Sequence, residues 1–597
     1  MRARLICFSL VMLCFACSVS AKPTYGHRSH QTATVLDPNT RFVAIYAAEW
    51  KWRGDQTGSR EDSATTDINA HLPDVSAATQ ETRRQFWSRV EAQLSSLDRA
   101  QLTPENRLNF DVYKSQIDAL LAAQTFREYE RPINSDSAFW SDVSYVTQQN
   151  FRSVQDYRAY LSQLSELPRY FGQEIDNMKA GLQRGFTPPQ VTLEGRDQSV
   201  KAVLDVKRPQ DSAFYQPFVT MPAAIPADVQ ASLRAEAVKV ITEAVIPAHK
   251  TLLEFLDTDY FPHAQQALGA SALPDGSAYY QSKIREFTTL DETPAQIHQI
   301  GVEQVALIHA QMLDVMKEVG FTGDFPAFLA FLRSDPQFYA KTPQELLDRA
   351  AWISKRFDGK ASDWFGHLPR QRFGIVKVPD EIAPYYTSGR GGPGVYYVNT
   401  YDLKSRPLFQ LTALTLHESA PGHAFQMPLA MENKALPDFR RDLYISAYGE
   451  GWALYCEHLG VEMDMYETPY ERFGYLSYQM WRASRLVVDT GIHSMGWSRE
   501  QARQFLRDNT ALSEHEIDTE VDRYISWPGQ ALSYYLGEMA ILEARTKAEK
   551  ALGAKFNIRA FHDTILELGS VPLPVLSERI DAFVASGGVG PYPDEEK

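Results

Sequence analysis

The sequence predicts a mainly α-helical fold with one small sheet. Three observations lead there. Apolar stripes recur at helical spacing through most of the chain, β-rich runs are confined to residues 373–400, and 44% of the residues are hydrophobic, enough for sizeable cores. The clearest stripe follows Thr293-Pro294-Ala295-Gln296, a capping box with proline at the first helical position. Behind it Ile297, Ile300, Val305, Ile308, Met312, Val315 and Val319 fall on one face of a long helix. Similar patterns run through 79–123, 152–184, 227–257, 343–357 and 498–508. The strand candidates are Phe373 to Val378 and Val395 to Thr400, with Ser388 to Gly394 reading as the turn before the second. That glycine-rich turn lacks the lysine and hydroxyl of a phosphate-binding loop.

At about 150 residues per domain, 597 residues allow two to four domains or one two-lobed body. Arg2 and Arg4 precede an apolar run from Leu5 to Phe15, and Val19-Ser20-Ala21 supplies small residues for cleavage before Lys22. Residues 1–21 therefore read as an export signal, too short for a permanent span of about 20 residues. A lipoprotein signal ending at Cys17 is the alternative, though Cys14-Phe15-Ala16 matches one poorly. No later stretch is apolar enough to span a membrane, so a periplasmic or secreted protein is expected. Residues 22–34 are polar and read as disordered. Proline-rich breaks near 187–189 and 217–226 suggest two lobes, 35–245 and 246–597. The mature chain keeps Cys456 alone, so no internal disulfide or cysteine metal cluster is expected. The formal charge of −15 falls to about −17 once Arg2 and Arg4 are removed. Such an acidic chain lacks the basic patch that nucleic acid requires.

The chemistry concentrates after the apolar run Leu411 to Leu416. His417-Glu418 resembles the opening of a zincin helix, in which two histidines four apart face the metal and the glutamate between them activates water. Here Pro421 stands where the second histidine belongs, and the next one is His423. On a straight helix, residues six apart point roughly 120° apart and sit about 9 Å apart along the axis. They cannot share one ion at bonds of about 2 Å. Pro421 removes an N–H and crowds the His417 carbonyl, and Gly422 tolerates distortion. A kink or π-bulge at 419–422 is therefore expected to carry His423 to the metal. The alternative is a Pro-Gly helix stop with His423 as a cap. Glu450, between two glycines on an aromatic background, is the expected third ligand, since a charge there is costly unless paired or bound. An N-terminal helix acid is its plain alternative. Glu457, seven residues on, shares its face and is placed to orient a ligating histidine. Two histidines, one glutamate and an open position describe a catalytic zinc set.

Four motifs carry a resemblance: His417-Glu418-Ser-Ala-Pro-Gly-His423, Glu450-Gly-Trp-Ala-Leu-Tyr455, Arg485-Leu-Val-Val-Asp-Thr-Gly-Ile-His493, and Arg523-Tyr-Ile-Ser-Trp-Pro-Gly-Gln-Ala-Leu-Ser-Tyr534. With weaker matches at Gly185 to Pro189 and Asp275 to Tyr280, the chain resembles the bacterial domain-of-unknown-function family 885, regarded as relatives of the gluzincin peptidases. The resemblance implies a two-lobed, zincin-like helical body with a cleft and a peptidase-like zinc site.

The remaining residues take expected roles around that site. His493, Tyr534 and Tyr535 are candidate donors to an oxyanion. Arg485 and Arg523 are candidate grips for a substrate carboxylate, although Arg485 with Asp489 is equally an ordinary helical pair. Tyr397 and Asn399, on the strand from Val395, are placed to line an added peptide strand, or simply to form a hairpin. The expected function is Zn2+-dependent hydrolysis of peptide bonds in short peptides, with Glu418 as base. A different amide or ester hydrolase, and an inactive binding protein on the same fold, are the alternatives.

Overall fold

Helix starts follow their local signals closely. Thr293 accepts from the Gln296 N–H in a complete capping box, and the helix runs over Pro294–Glu318, here α1. The computed structural model describes residues 37–594 apart from 57–67, 136, 381–382 and 442. The export signal, Cys17 and the 22–34 segment lie outside the described residues. Capping also explains a departure from periodicity: the pattern over 79–123 is two helices, Ala77–Ser95 and Pro104–Phe126. Thr103 caps the second, with proline at its first position, so the break at 96–103 is written in a Thr-Pro pair that the apolar stripe overrides.

The fold is mainly helical with one three-stranded sheet, as expected. Its strands are β1 Gly374–Lys377, β2 Gly389–Gly392 and β3 Val395–Val398. The order is β1-β3-β2, with β1 parallel and β2 antiparallel to β3. Two expectations are corrected here. Residues 389–392 form a strand, because glycine lets its backbone approach its neighbours, and only the residues between Gly392 and Val395 make the turn. The strand from Val395 is the central one, paired on both sides, so it offers no free edge to an added peptide.

The site is carried by five further helices. They are α2 Leu408–Glu418, α3 His423–Glu432, α4 Ser446–Glu462, α5 Pro469–Met495 and α6 Ser533–Leu552. The largest apolar cluster joins residues between Phe42 and Ile117 to others between Ala340 and Phe583, so amino-terminal helices share a core with the site helices. A second cluster runs from Ile68 to Ala264. A third packs Ile297, Ile308 and Met312 of α1 against Phe473, Met480 and Leu486 of α5. Among the described residues, no helix is long and apolar enough to cross a membrane.

One close crossing joins α4 to α6. A β-carbon on Gly451 would lie 2.5 Å from the Gly537 Cα, and one on Gly537 would lie 2.0 Å from the Ala447 carbonyl oxygen. Backbone meets backbone, and no side chain fits between. Gly451→Val should therefore lower stability by at least about 1–3 kcal/mol, through overpacking that neither helix can relieve. Gly172→Ala is the control: it lies inside the helix Leu167–Arg184 with nothing within 4 Å of its added methyl. That change should be neutral or stabilising by up to about 1 kcal/mol. Urea midpoints of the two variants check the contrast.

Candidate metal centre

The helix that begins in the apolar run ends at Glu418 and does not bend through Pro421. Ser419 leaves helical geometry at φ −96°, ψ −116°, the chain passes Ala420–Pro421 through a cis peptide, and α3 starts afresh at His423. The expected kink or bulge is thus a corner between two helices. The physical reason is the one anticipated for Pro421, carried further: helical bonding stops altogether. The Gly422 N–H closes the corner on the Leu416 carbonyl at 3.0 Å. A β-carbon on Gly422 would lie 1.8 Å from the His417 carbonyl oxygen, so glycine is required by close approach. Trp452 Nε1 donates to the Pro421 carbonyl at 2.9 Å and ties the corner to α4.

The corner brings the two imidazoles together, with ring centroids 5.0 Å apart and planes nearly perpendicular. Glu450 meets both. Its Oε2 is 3.4 Å from His417 Nε2 and 3.4 Å from His423 Nε2. One ligand atom from each residue lies within 4.8 Å of the others, and the group could hold a metal ion. The two glycines around Glu450 now have separate reasons. Gly451 admits α6, and Gly449 makes room for the ring of Tyr444. Tyr444 donates its hydroxyl to Glu450 Oε1 at 2.7 Å, leaving Oε2 to face the histidines. Sequence reasoning missed Tyr444, which sits ahead of α4 with no motif around it.

Behind His417, the Nδ1 donates to Glu457 Oε1 at 2.8 Å. This fixes the ring and presents Nε2 toward Glu450. His423 Nδ1 is buried and has no hydrogen-bond partner among the described residues. Glu418 turns to the sheet: its Oε2 accepts the Gly391 N–H at 2.6 Å. A β-carbon on Gly391 would lie 1.6 Å from the Glu418 carbonyl oxygen, which is why this strand is built of glycine.

The other expected site residues have partners of their own. His493 accepts from the Ala270 N–H at Nδ1 and donates from Nε2 to the Tyr524 carbonyl. Burial holds its pKa down at about 4. Its only ring N–H is committed, so as placed it has none to offer an oxyanion. Tyr535 donates to Gln304 on α1 at 3.1 Å. Tyr534 accepts from Arg523 at 3.2 Å and lies under the Arg485 guanidinium, 4.4 Å from its ring centroid. Arg485 makes no pair with Asp489; it bonds Tyr524 and Glu520, while Asp489 takes Tyr280 and the Gly529 N–H. Asn399 spends its amide on the Ala383, Tyr386 and Thr387 carbonyls and is fully buried, so it shapes the loop before β2 and has no group left for a ligand. Tyr397 lies on the central strand opposite Arg390.

The triad's electrostatics yield a direct test. Burial disfavours a charged His417, but hydrogen bonds to Glu450 and Glu457 and the neighbouring Glu418 charge outweigh it and push its pKa up to about 10. Without metal, His417 is then protonated at pH 7, and a bound cation must expel that proton. Zinc titrated calorimetrically in two buffers of different ionisation enthalpy should release about one proton per ion at pH 7. Affinity should rise with pH and level off near 10. The same raised pKa stabilises the metal-free fold: the contribution is complete below the ordinary value of 6.5 and is lost as pH rises through about 10. Zinc affinity flat between about pH 6 and 9 would contradict this account.

Comparison with known proteins agrees with the fold and says little of chemistry. A solved structure from Colwellia psychrerythraea is 26% identical and superposes with a TM-score of 0.83, covering 92% of this chain and 99% of that one. One from Shewanella oneidensis is 17% identical with a TM-score of 0.64, covering 91% and 99%. Each is described as a "putative lipoprotein". A comparison with curated proteins gave no match. Residues 55–580 match the model of the family described as bacterial protein of unknown function, DUF885, and the chain belongs to that family.

Proposed function

We propose that the protein is an exported zinc hydrolase that cuts peptide bonds in short peptides. One observation carries the reading: the Glu450 oxygen is 3.4 Å from both histidine nitrogens. Ligand atoms bonded tetrahedrally at about 2.0–2.1 Å are spaced by about 3.3–3.4 Å. Two of the three donor separations thus match the edge length of a zinc tetrahedron, and three donors would leave its fourth corner open. Their chemistry fits as well, being two imidazoles and a carboxylate with a buried acid behind one imidazole. Zinc held there would polarise a carbonyl and lower the pKa of a water.

The chain's own residues supply the rest. Glu418 is next to His417 in sequence but outside the ligand set, half-buried, with one oxygen steadied by the Gly391 N–H. It is placed to take a proton from water and return it to the leaving amine. Tyr534 is the better of the two candidate tyrosines, since it stands one turn before Gly537 at the α4 crossing, near Tyr444 and Glu450. Arg485 and Arg523 flank Tyr534 and both meet the carboxylate of Glu520. Two guanidiniums side by side are the chain's candidate grip for a substrate carboxylate beside the cut bond.

Purified protein should hold about one zinc per chain. Glu418→Gln should keep that zinc and lose at least about 100-fold in kcat on short peptides. Zinc absent, or kcat unchanged in Glu418→Gln, sinks the hydrolase reading. The arginine pair is tested separately, with one peptide carrying a free or an amidated carboxyl terminus. The free acid should be cut at least about tenfold faster in kcat/KM, and Arg485→Gln should erase the preference. Equal rates on acid and amide in the unaltered enzyme would rule out that grip.

A further inference from the structure

We propose that Arg482 governs how firmly the His417–His423–Glu450 triad holds zinc, acting through Glu457; this rests on the zinc reading above. Arg482 lies on α5 and is 5% exposed. Its Nη2 is 3.9 Å from Glu457 Oε1, the oxygen that accepts the His417 Nδ1–H. Glu457 is wholly buried, and its second oxygen has no hydrogen-bond partner. Glu538 of α6, also buried, stands within electrostatic reach of Glu457 and accepts from Gln479 at 2.9 Å. Two buried acids therefore sit behind one metal ligand. A buried carboxylate without a counter-charge is strongly disfavoured. Arg482 supplies that charge.

The setting of Arg482 explains why its charge is available. Its guanidinium rests on the faces of Tyr478 and Trp481, 4.5 and 4.2 Å from the ring centroids. Its Nε and Nη1 make no hydrogen bond. Aromatic faces hold a cation without neutralising it. Arg485, on the other side of Trp481, differs in having Glu520 at 3.0 Å. Tyr478, Trp481, Arg482 and Arg485 are spaced i, i+3, i+4, i+7, so one helical face sets a neutralised arginine beside an open one. The open one faces Glu457. Arg482 is a positioning residue: it holds the Glu457 oxygen in place, that oxygen takes the His417 Nδ1–H, and Nε2 is left to bind.

The test reads metal affinity instead of turnover. Zinc dissociation constants come from chelator competition on the full mature chain, with visible spectra of the cobalt-loaded protein as a second readout. Arg482→Met should weaken zinc binding by about 10–100-fold while keeping the far-ultraviolet spectrum of the native fold. Arg482→Lys serves if the methionine variant does not fold. It should weaken binding when Glu457 is present and have no effect in a Glu457→Gln background. A folded Arg482→Met that binds zinc within about twofold of the unaltered chain overturns the proposal. So does an equal effect of Arg482→Lys in both backgrounds. Failure of the unaltered chain to bind zinc would overturn the zinc reading and this proposal together; tight binding indifferent to Arg482 overturns this proposal alone.

Discussion

The corner at Ser419–Gly422 is the constraint on which the site depends. The histidines are six positions apart, and no continuous helix brings such residues to one point. Ending α2 and restarting the chain at His423 does. Much of the surrounding structure then follows from holding that corner. Gly422 clears the His417 carbonyl, Trp452 donates to the Pro421 carbonyl, and Ser419 returns its hydroxyl to the Thr415 carbonyl at 2.6 Å. Trp452 is also one residue past Gly451, so the group that pins the corner belongs to the turn that crosses α6 and carries Glu450. Corner, third ligand and helix crossing form one mechanical unit.

Charge is arranged around that unit as deliberately as shape. Glu418, Glu450 and Glu457 surround His417, and burial leaves them little water to share. The metal-free site answers by keeping a proton on His417 at neutral pH, while the two histidines hold Glu450 well below the usual carboxylate range against burial. Glu538 goes the other way: burial and the Glu457 charge hold it well above that range. Glu450, against the imidazoles, and Glu538, farther back, are thus pushed in opposite directions.

Much of this was legible in sequence, and the failures have physical causes. Helical stripes, capping boxes and the confinement of β-rich runs are local, and the mainly helical fold with its small sheet follows from them. His417, His423 and Glu450 were legible because a charged or ligating residue on an apolar background needs a reason. The corner was read as a bulge because Pro421 says only that helical bonding fails, not whether it resumes along the same axis. The strand at 389–392 was read as a turn because glycine's turn preference was weighed alone. Its selection there comes from the Glu418 backbone pressed against it, a long-range contact no local pattern records. His493 was misjudged for a similar reason: a histidine at the end of a motif looks available until Ala270 and Tyr524 take both nitrogens. Tyr444 carries no signal at all, since its role depends on a fold that sets its hydroxyl against Glu450.

The placement of Glu418 separates a catalytic reading from a merely structural one. A metal that only braces a fold is best served by four protein ligands and a dry wall. Here three candidate ligand residues converge, and a further acid, Glu418, is left out of the set. That acid is less buried than His417 and His423, and the sheet holds it by a single backbone N–H. The chain has gone to some length for this contact, since Gly391 can approach only because it has no side chain. A carboxylate needed for bracing would turn inward to a cation or a helix end. One steadied at one oxygen and partly accessible is what the proposed hydrolase reading asks of its base. The sheet's part in the site is this contact: β2 supplies the N–H of Gly391 to Glu418.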